Sequence, residues 1–134
     1  MPVELAPDPR YSPTTLLLLR LEGLAVAAGS AYFFYRSGVS WWLFALLWLT
    51  PDLSMLGYLA EPRWGARCYN AVHTYVGPAA VAAFALALPS PTLLPFALIW
   101  FNHIGFDRLL GYGLKSAEAF KISHLTPTRL KSGN

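Results

Sequence analysis

The stretch WFNHIGFDRLLGYG, residues 100–113, sets His103 and Asp107 four residues apart and places Asn102 and Arg108 beside them. A spacing of i, i+4 puts an imidazole and a carboxylate on one face of a helix. Further acidic and imidazole groups lie in equally apolar surroundings: Glu22, Asp52 directly after Pro51, and His73, three residues after Asn70. Two imidazoles with up to three carboxylates form a nitrogen and oxygen donor set suited to Zn²⁺, Mn²⁺ or Fe²⁺. On this reading Asp52, His73, His103 and Asp107 are the metal ligands. Glu22 is the candidate general base or fifth ligand, and Arg108 (or Arg20) the candidate group for stabilising an anionic substrate. A divalent metal so held would activate water for hydrolysis. The single cysteine, Cys68, excludes an internal disulfide and a cysteine-based zinc finger, and is expected to be a buried thiol.

The elements that must carry these residues are apolar. The chain has 134 residues, 55% of them hydrophobic and 13% charged, with five Trp. A soluble domain carries about 25% charged residues. The mean hydropathy is +0.42. This balance points to an integral membrane protein. A net charge of +3 without basic residues clustered around aromatics gives no nucleic-acid footprint. The N-terminal MPVELAPDPRYSP lacks the basic, apolar and small-residue order of a cleaved signal peptide.

Four apolar segments are expected, over about 13–35, 41–59, 64–88 and 91–114. Each is long enough to cross a hydrocarbon core of ~30 Å as a helix. Strand-like alternation is absent, which removes the barrel alternative. Pro13 suits a first helical turn with Ser12 as cap, Ser40 can cap the second segment, Pro51 is expected to kink it, and Pro78 lies inside the third. The links are short, so consecutive helices should be antiparallel neighbours. The fold expected is an all-α four-helix transmembrane bundle over 13–114, flanked by an N-terminal tail (1–12) and a polar C-terminal tail (115–134). Arg10, Arg63, Arg67, Lys115, Lys121, Arg129 and Lys131 fall on one side and Arg36 on the other, which places both termini in the cytoplasm.

Counted from the cytoplasmic end of its own helix, each of Glu22, Asp52, His73, His103 and Asp107 lies roughly 10–17 Å deep. Four helices thus carry their ionisable groups into one layer, and intramembrane ionisable groups are functional candidates by default. Blander roles exist for each. His103 and Asp107 could be a hydrogen-bonded pair, Glu22 could pair with Arg20 or Arg108, Asp52 could be a helix-end feature, and His73 could bond a neighbouring helix. Tyr58, Tyr69, Tyr75 and Tyr112 suit interfacial belts or packing, and Trp41, Trp42 and Trp64 suit anchors. Gly57, Gly105, Gly111 and Gly113 suit close helix approach rather than phosphate binding.

RLEGLAV, SWWLFALLWLTPDLSMLGYL, YNAVHTYV and the WFNHIGFDRLLGYGLK segment together resemble the bacterial family of unknown function numbered 4260, small four-helix membrane proteins, over about residues 16–125. A weaker similarity is to membrane-bound metal-dependent hydrolases of the YdjM type, carried by Pro51-Asp52, His73-Thr74 and His103-x-x-x-Asp107. That type carries a second histidine near the position of His73, where this chain has Asn70. The resemblance implies a multi-pass protein of the bacterial cytoplasmic membrane. Three functions are weighed: a metal-dependent hydrolase acting on a lipid or phosphoester, a non-catalytic scaffold or binding protein, and a transporter or proton-linked carrier. The last would need a homo-oligomer, because four helices are few for a pathway.

Overall fold

The computed structural model describes residues 12–88 and 91–114, and every element among them is helical. Both tails and the 89–90 link, with the basic residues that set the expected orientation there, lie outside the described residues. Helix α1 (Pro13–Arg36) starts as expected: Pro13 takes the first helical position, and the Ser12 hydroxyl accepts from the Thr15 amide at 3.1 Å. Gly38, at φ +71°, turns the chain into α2 (Trp41–Leu47), where the Ser40 hydroxyl accepts from the Trp42 amide. Phe34, fully buried, meets the Trp41 and Phe44 rings edge-on at 5.0 Å and so fastens this corner.

Prolines then break two of the expected spans. Pro51 has no amide hydrogen, and its ring collides with the carbonyl four residues back, that of Leu47. The helix stops at Leu47, and the Thr50 hydroxyl donates to the stranded Leu47 carbonyl at 2.6 Å. The chain continues as a 3-10 helix, Thr50–Leu59, far longer than the three or four residues usual for that form. Pro78 acts the same way on the third segment, which is divided into α3 (Pro62–Val72) and α4 (Val76–Ala87) with residues 73–75 between them. Its ring would meet the Thr74 carbonyl of a continuous helix; instead α4 begins at Val76 and holds Pro78 in its first turn, where no amide hydrogen is needed. Helix α5 (Leu93–Leu110) is unbroken and ends on Gly111 at φ +90°.

Helix α1 packs most extensively on α5, so the first and last segments are neighbours. They run antiparallel: Arg20 donates to the Leu110 carbonyl, Gly23 lies against Gly105 and Arg108, and Ala27 and Ser30 lie against Asn102. The crossing is close. A Cβ on Gly23 would come within 2.7 Å of the Gly105 oxygen, and one on Gly105 within 2.8 Å of the Ala27 nitrogen. Small residues at such a crossing let two backbones approach closely in a membrane. Gly105→Val is expected to cost about 1–3 kcal/mol, because rigid backbone rather than a flexible side chain stands in the way. A lowered midpoint of thermal unfolding in detergent, beside an unchanged Gly29→Ala control at an open position, checks this.

Among the described residues, Pro13–Arg36 and Trp41–Leu59 are the helical runs long and apolar enough to cross a membrane. Only 17% and 6% of their apolar windows are buried inside the molecule, the reverse of a core helix in a soluble globule. Cys68 corrects one expectation: it is exposed, because α3 turns its other face, Gly65, Ala66 and Tyr69, inward.

Candidate metal centre

The breaks at Pro51 and Pro78 bring ligand-bearing side chains to one point. Asp52 opens the 3-10 helix, His73 caps the C-terminal end of α3, and His103 and Asp107 project from one face of α5. One ligand atom from each of the four lies within 4.8 Å of all the others. His73 Nε2 and His103 Nε2 are 3.2 Å apart. Asp52 Oδ1 is 3.3 Å from both imidazole nitrogens. Asp107 Oδ2 is 3.3 Å from His103 Nε2 and 3.7 Å from His73 Nε2. Four donors at the zinc–nitrogen and zinc–oxygen bond length of about 2.0–2.1 Å, placed tetrahedrally, stand about 3.3–3.4 Å from one another. Four of the separations match that figure, the His73–Asp107 pair is wider at 3.7 Å, and the Asp52–Asp107 pair lies within 4.8 Å.

Burial is graded across the cluster. The side chains of His73 and His103 are 0% and 1% exposed, that of Asp107 13% and that of Asp52 39%. The imidazoles therefore form the floor, and Asp52 stands at the rim. The His73 ring is held in two ways. Its Nδ1–H donates to the Tyr69 carbonyl at 2.9 Å, which leaves the Nε2 lone pair directed into the cluster when the ring is neutral. The Tyr69 ring stacks on it, with centroids 3.7 Å apart and planes 8° from parallel. A ring nitrogen tied to a backbone carbonyl is the usual support of a metal-ligating histidine. His103 meets the Trp48 ring edge-on at 4.9 Å. Its buried Nδ1 faces the Trp48 backbone without a hydrogen bond of acceptable geometry.

The helix break at 73–75 strands backbone carbonyls, and α5 satisfies them. Arg108 Nη2 donates to the His73 carbonyl at 2.8 Å, and Trp100 Nε1 donates to the Val72 carbonyl at 2.7 Å. Arg108 Nη1 also donates to the Tyr112 carbonyl at 2.9 Å. Behind His103, Trp48 Nε1 donates to Asn102 Oδ1 at 2.9 Å, and Asn102 Nδ2 donates to the Ala27 carbonyl at 2.7 Å. This chain of bonds ties α1, the end of α2 and α5 into one frame around the site.

Four of the five ionisable groups expected in one layer are thus together. Glu22 is apart from them: it is exposed on α1 and lines a separate cavity with Tyr75 and Arg108. Trp48, Tyr69 and Trp100 hold the site and were not read from the sequence as its parts. Trp48 and Trp100 had one visible signal, a position away from the segment ends where tryptophan anchors sit. Tyr69 had one too, lying four residues before His73 on the same helix face.

Elements that are all helical among the described residues, two helical runs of membrane length and the convergence of two imidazoles and two carboxylates define a class: helical proteins, of a composition fit for the membrane, with a donor set able to hold a divalent ion. The model of the family described as Domain of unknown function (DUF4260) matches residues 16–127, and the chain belongs to that family. No curated protein and no solved structure matches it.

Proposed function

We propose that this protein is a membrane-embedded, metal-dependent hydrolase, with Asp52, His73, His103 and Asp107 holding a zinc, manganese or iron ion. The observation that carries the reading is the set of donor separations, 3.2–3.7 Å over five of the six pairs. Two carboxylates and two imidazoles so close repel or leave lone pairs opposed unless protons or a cation lie between them, and a divalent ion answers all four at once. The order Pro51-Asp52, His73-Thr74, His103-x-x-x-Asp107, similar to the YdjM type, points the same way.

In this reading four segments cross the bacterial cytoplasmic membrane, both termini are cytoplasmic, and the site lies in the cytoplasmic half of the bilayer. A bound divalent ion supplies Lewis acidity and makes water a competent nucleophile near neutral pH. The chain's own groups do the rest. His73 and His103 fix the floor of the site, and Asp52, the most exposed ligand, is the group a substrate and a water proton reach first. Arg108 supports His73 through its carbonyl, and Glu22 has no part in the centre. The test is elemental analysis of detergent-purified protein beside His103→Ala/Asp107→Ala. About one ion per chain that disappears in the variant supports the reading. No ion in the wild type after supplementation with zinc, manganese and iron replaces it with a hydrogen-bonded polar core.

A further inference from the structure

Beside the candidate metal centre lies a cavity of about 290 Å³ lined by Leu47, Thr50, Pro51, Val72, Phe96, Ile99 and Trp100. Its walls adjoin the ligands along the chain. Pro51 precedes Asp52, Val72 precedes His73, and Ile99 is one helical turn before His103 on the same face of α5. Ile99 and Pro51 are buried, and the lining offers a single hydroxyl, that of Thr50, which is already donated to the Leu47 carbonyl. The Trp100 indole N–H is likewise occupied, by the Val72 carbonyl. The cavity therefore presents apolar surface to whatever enters it, and its lining residues Pro51 and Val72 are the immediate chain neighbours of Asp52 and His73.

We infer that this cavity is the chain subsite of the metal centre and takes an alkyl chain of a membrane lipid whose anionic head reaches the ion; the inference rests on the metal reading above. The order of residues supports a lipid over a small soluble ester. Along α5 the cavity residues Phe96, Ile99 and Trp100 come before His103 and Asp107, and along the second segment Leu47, Thr50 and Pro51 come before Asp52. Both segments end at the cytoplasmic face in the proposed orientation, so these cavity residues lie deeper in the bilayer than the ligands on their own segments. A lipid of the cytoplasmic leaflet has the same polarity, chain inward and head outward. It would enter sideways from the bilayer, with its chain exchanging one apolar environment for another. The chain then contributes register more than affinity, and the metal end selects the head.

The test uses full-length protein, zinc-loaded, in nanodiscs of phosphatidylcholine containing a minor fraction of phosphatidic acid with a diazirine in mid-chain. The same diazirine on phosphatidylcholine is the head-group control. After illumination, mass spectrometry maps the labelled residues. Labelling by phosphatidic acid concentrated on Val72, Phe96 and Ile99, and several-fold lower for phosphatidylcholine, is the expected result. Ile99→Trp, which fills the cavity, should abolish it while zinc content is retained; Val72→Phe serves as a second filling variant should the first not fold. Label spread evenly over outward residues such as Leu46 and Leu86, and unchanged by either variant, overturns the inference. So does cavity labelling that is equal for both lipids and equal in His103→Ala/Asp107→Ala. A head-group-selective label in protein that binds no ion would instead keep the lipid subsite and remove the metal reading, so the two can fail separately.

Discussion

Zinc will stabilise the wild-type protein strongly and His73→Ala scarcely at all. An ion that binds the folded chain alone adds RT ln(1 + [L]/Kd), which is about 2.7 kcal/mol when free zinc is a hundredfold above Kd. Loss even of an outer-shell partner of a metal ligand costs about 10–100-fold in affinity, so loss of a buried ligand should cost more than ~100-fold. At the same zinc concentration the variant then gains less than ~0.5 kcal/mol. Position decides the ranking among ligands. His73 is fully buried, touches all three other ligands, and is held at Nδ1 by the Tyr69 carbonyl, so nothing can replace it. Asp52 is the most exposed ligand, and solvent can take its place. Asp52→Asn is therefore expected to keep a larger part of the zinc-induced shift than His73→Ala, and to lose more in any hydrolysis assay than in binding. Acidification should erase the wild-type shift, because the ion competes with protons for both imidazoles. Thermal unfolding followed by circular dichroism, with and without zinc and at two pH values, reads all of these. A zinc shift in His73→Ala equal to that of the wild type would place the ion elsewhere.

The site was legible where residue type and helical period sufficed. His103 and Asp107 could be paired from spacing alone because α5 is unbroken between them. Asp52 and His73 could be added because short links and a common depth bring their segments level. The shape of those segments was not legible. A proline inside an apolar run announces a bend, but whether the chain bends, breaks or tightens into a 3-10 helix depends on which neighbour can satisfy the freed carbonyls. For Leu47 the neighbour is local, the Thr50 hydroxyl. For Val72 and His73 it is distant, Trp100 and Arg108 on α5, and no pattern within the third segment announces it. The same gap separates Glu22 from the site. Depth placed it in the layer, yet rotation about α1 is set by the Gly23–Gly105 crossing, which turns Gly23, Ala27 and Ser30 inward and leaves Glu22 outside.

Arg108→Leu should damage the protein through His73 rather than through a lost substrate contact. The guanidinium gives one hydrogen bond to the His73 carbonyl and another to the Tyr112 carbonyl. Removing it strands the His73 carbonyl at a helix break, and an unsatisfied buried acceptor costs about 1–3 kcal/mol. The remaining tie on this break, Trp100 to the Val72 carbonyl, holds the backbone one residue earlier and cannot fix the His73 ring. His73 then loses its register with His103, so metal affinity should fall by about 10–100-fold even though Arg108 is no ligand. Arg108→Lys separates the two roles that a cation could have here. A lysine keeps the charge that an anionic substrate would feel but offers one ammonium in place of a planar fork spanning two carbonyls. If Arg108 positions His73, Lys should lose much of the metal affinity and Leu more, with the loss visible in zinc titration without any substrate. If its part is to meet substrate charge, both variants should bind zinc as the wild type does and differ only when a substrate is turned over. The geometry favours the first result, because both of its short hydrogen bonds are already given to the backbone.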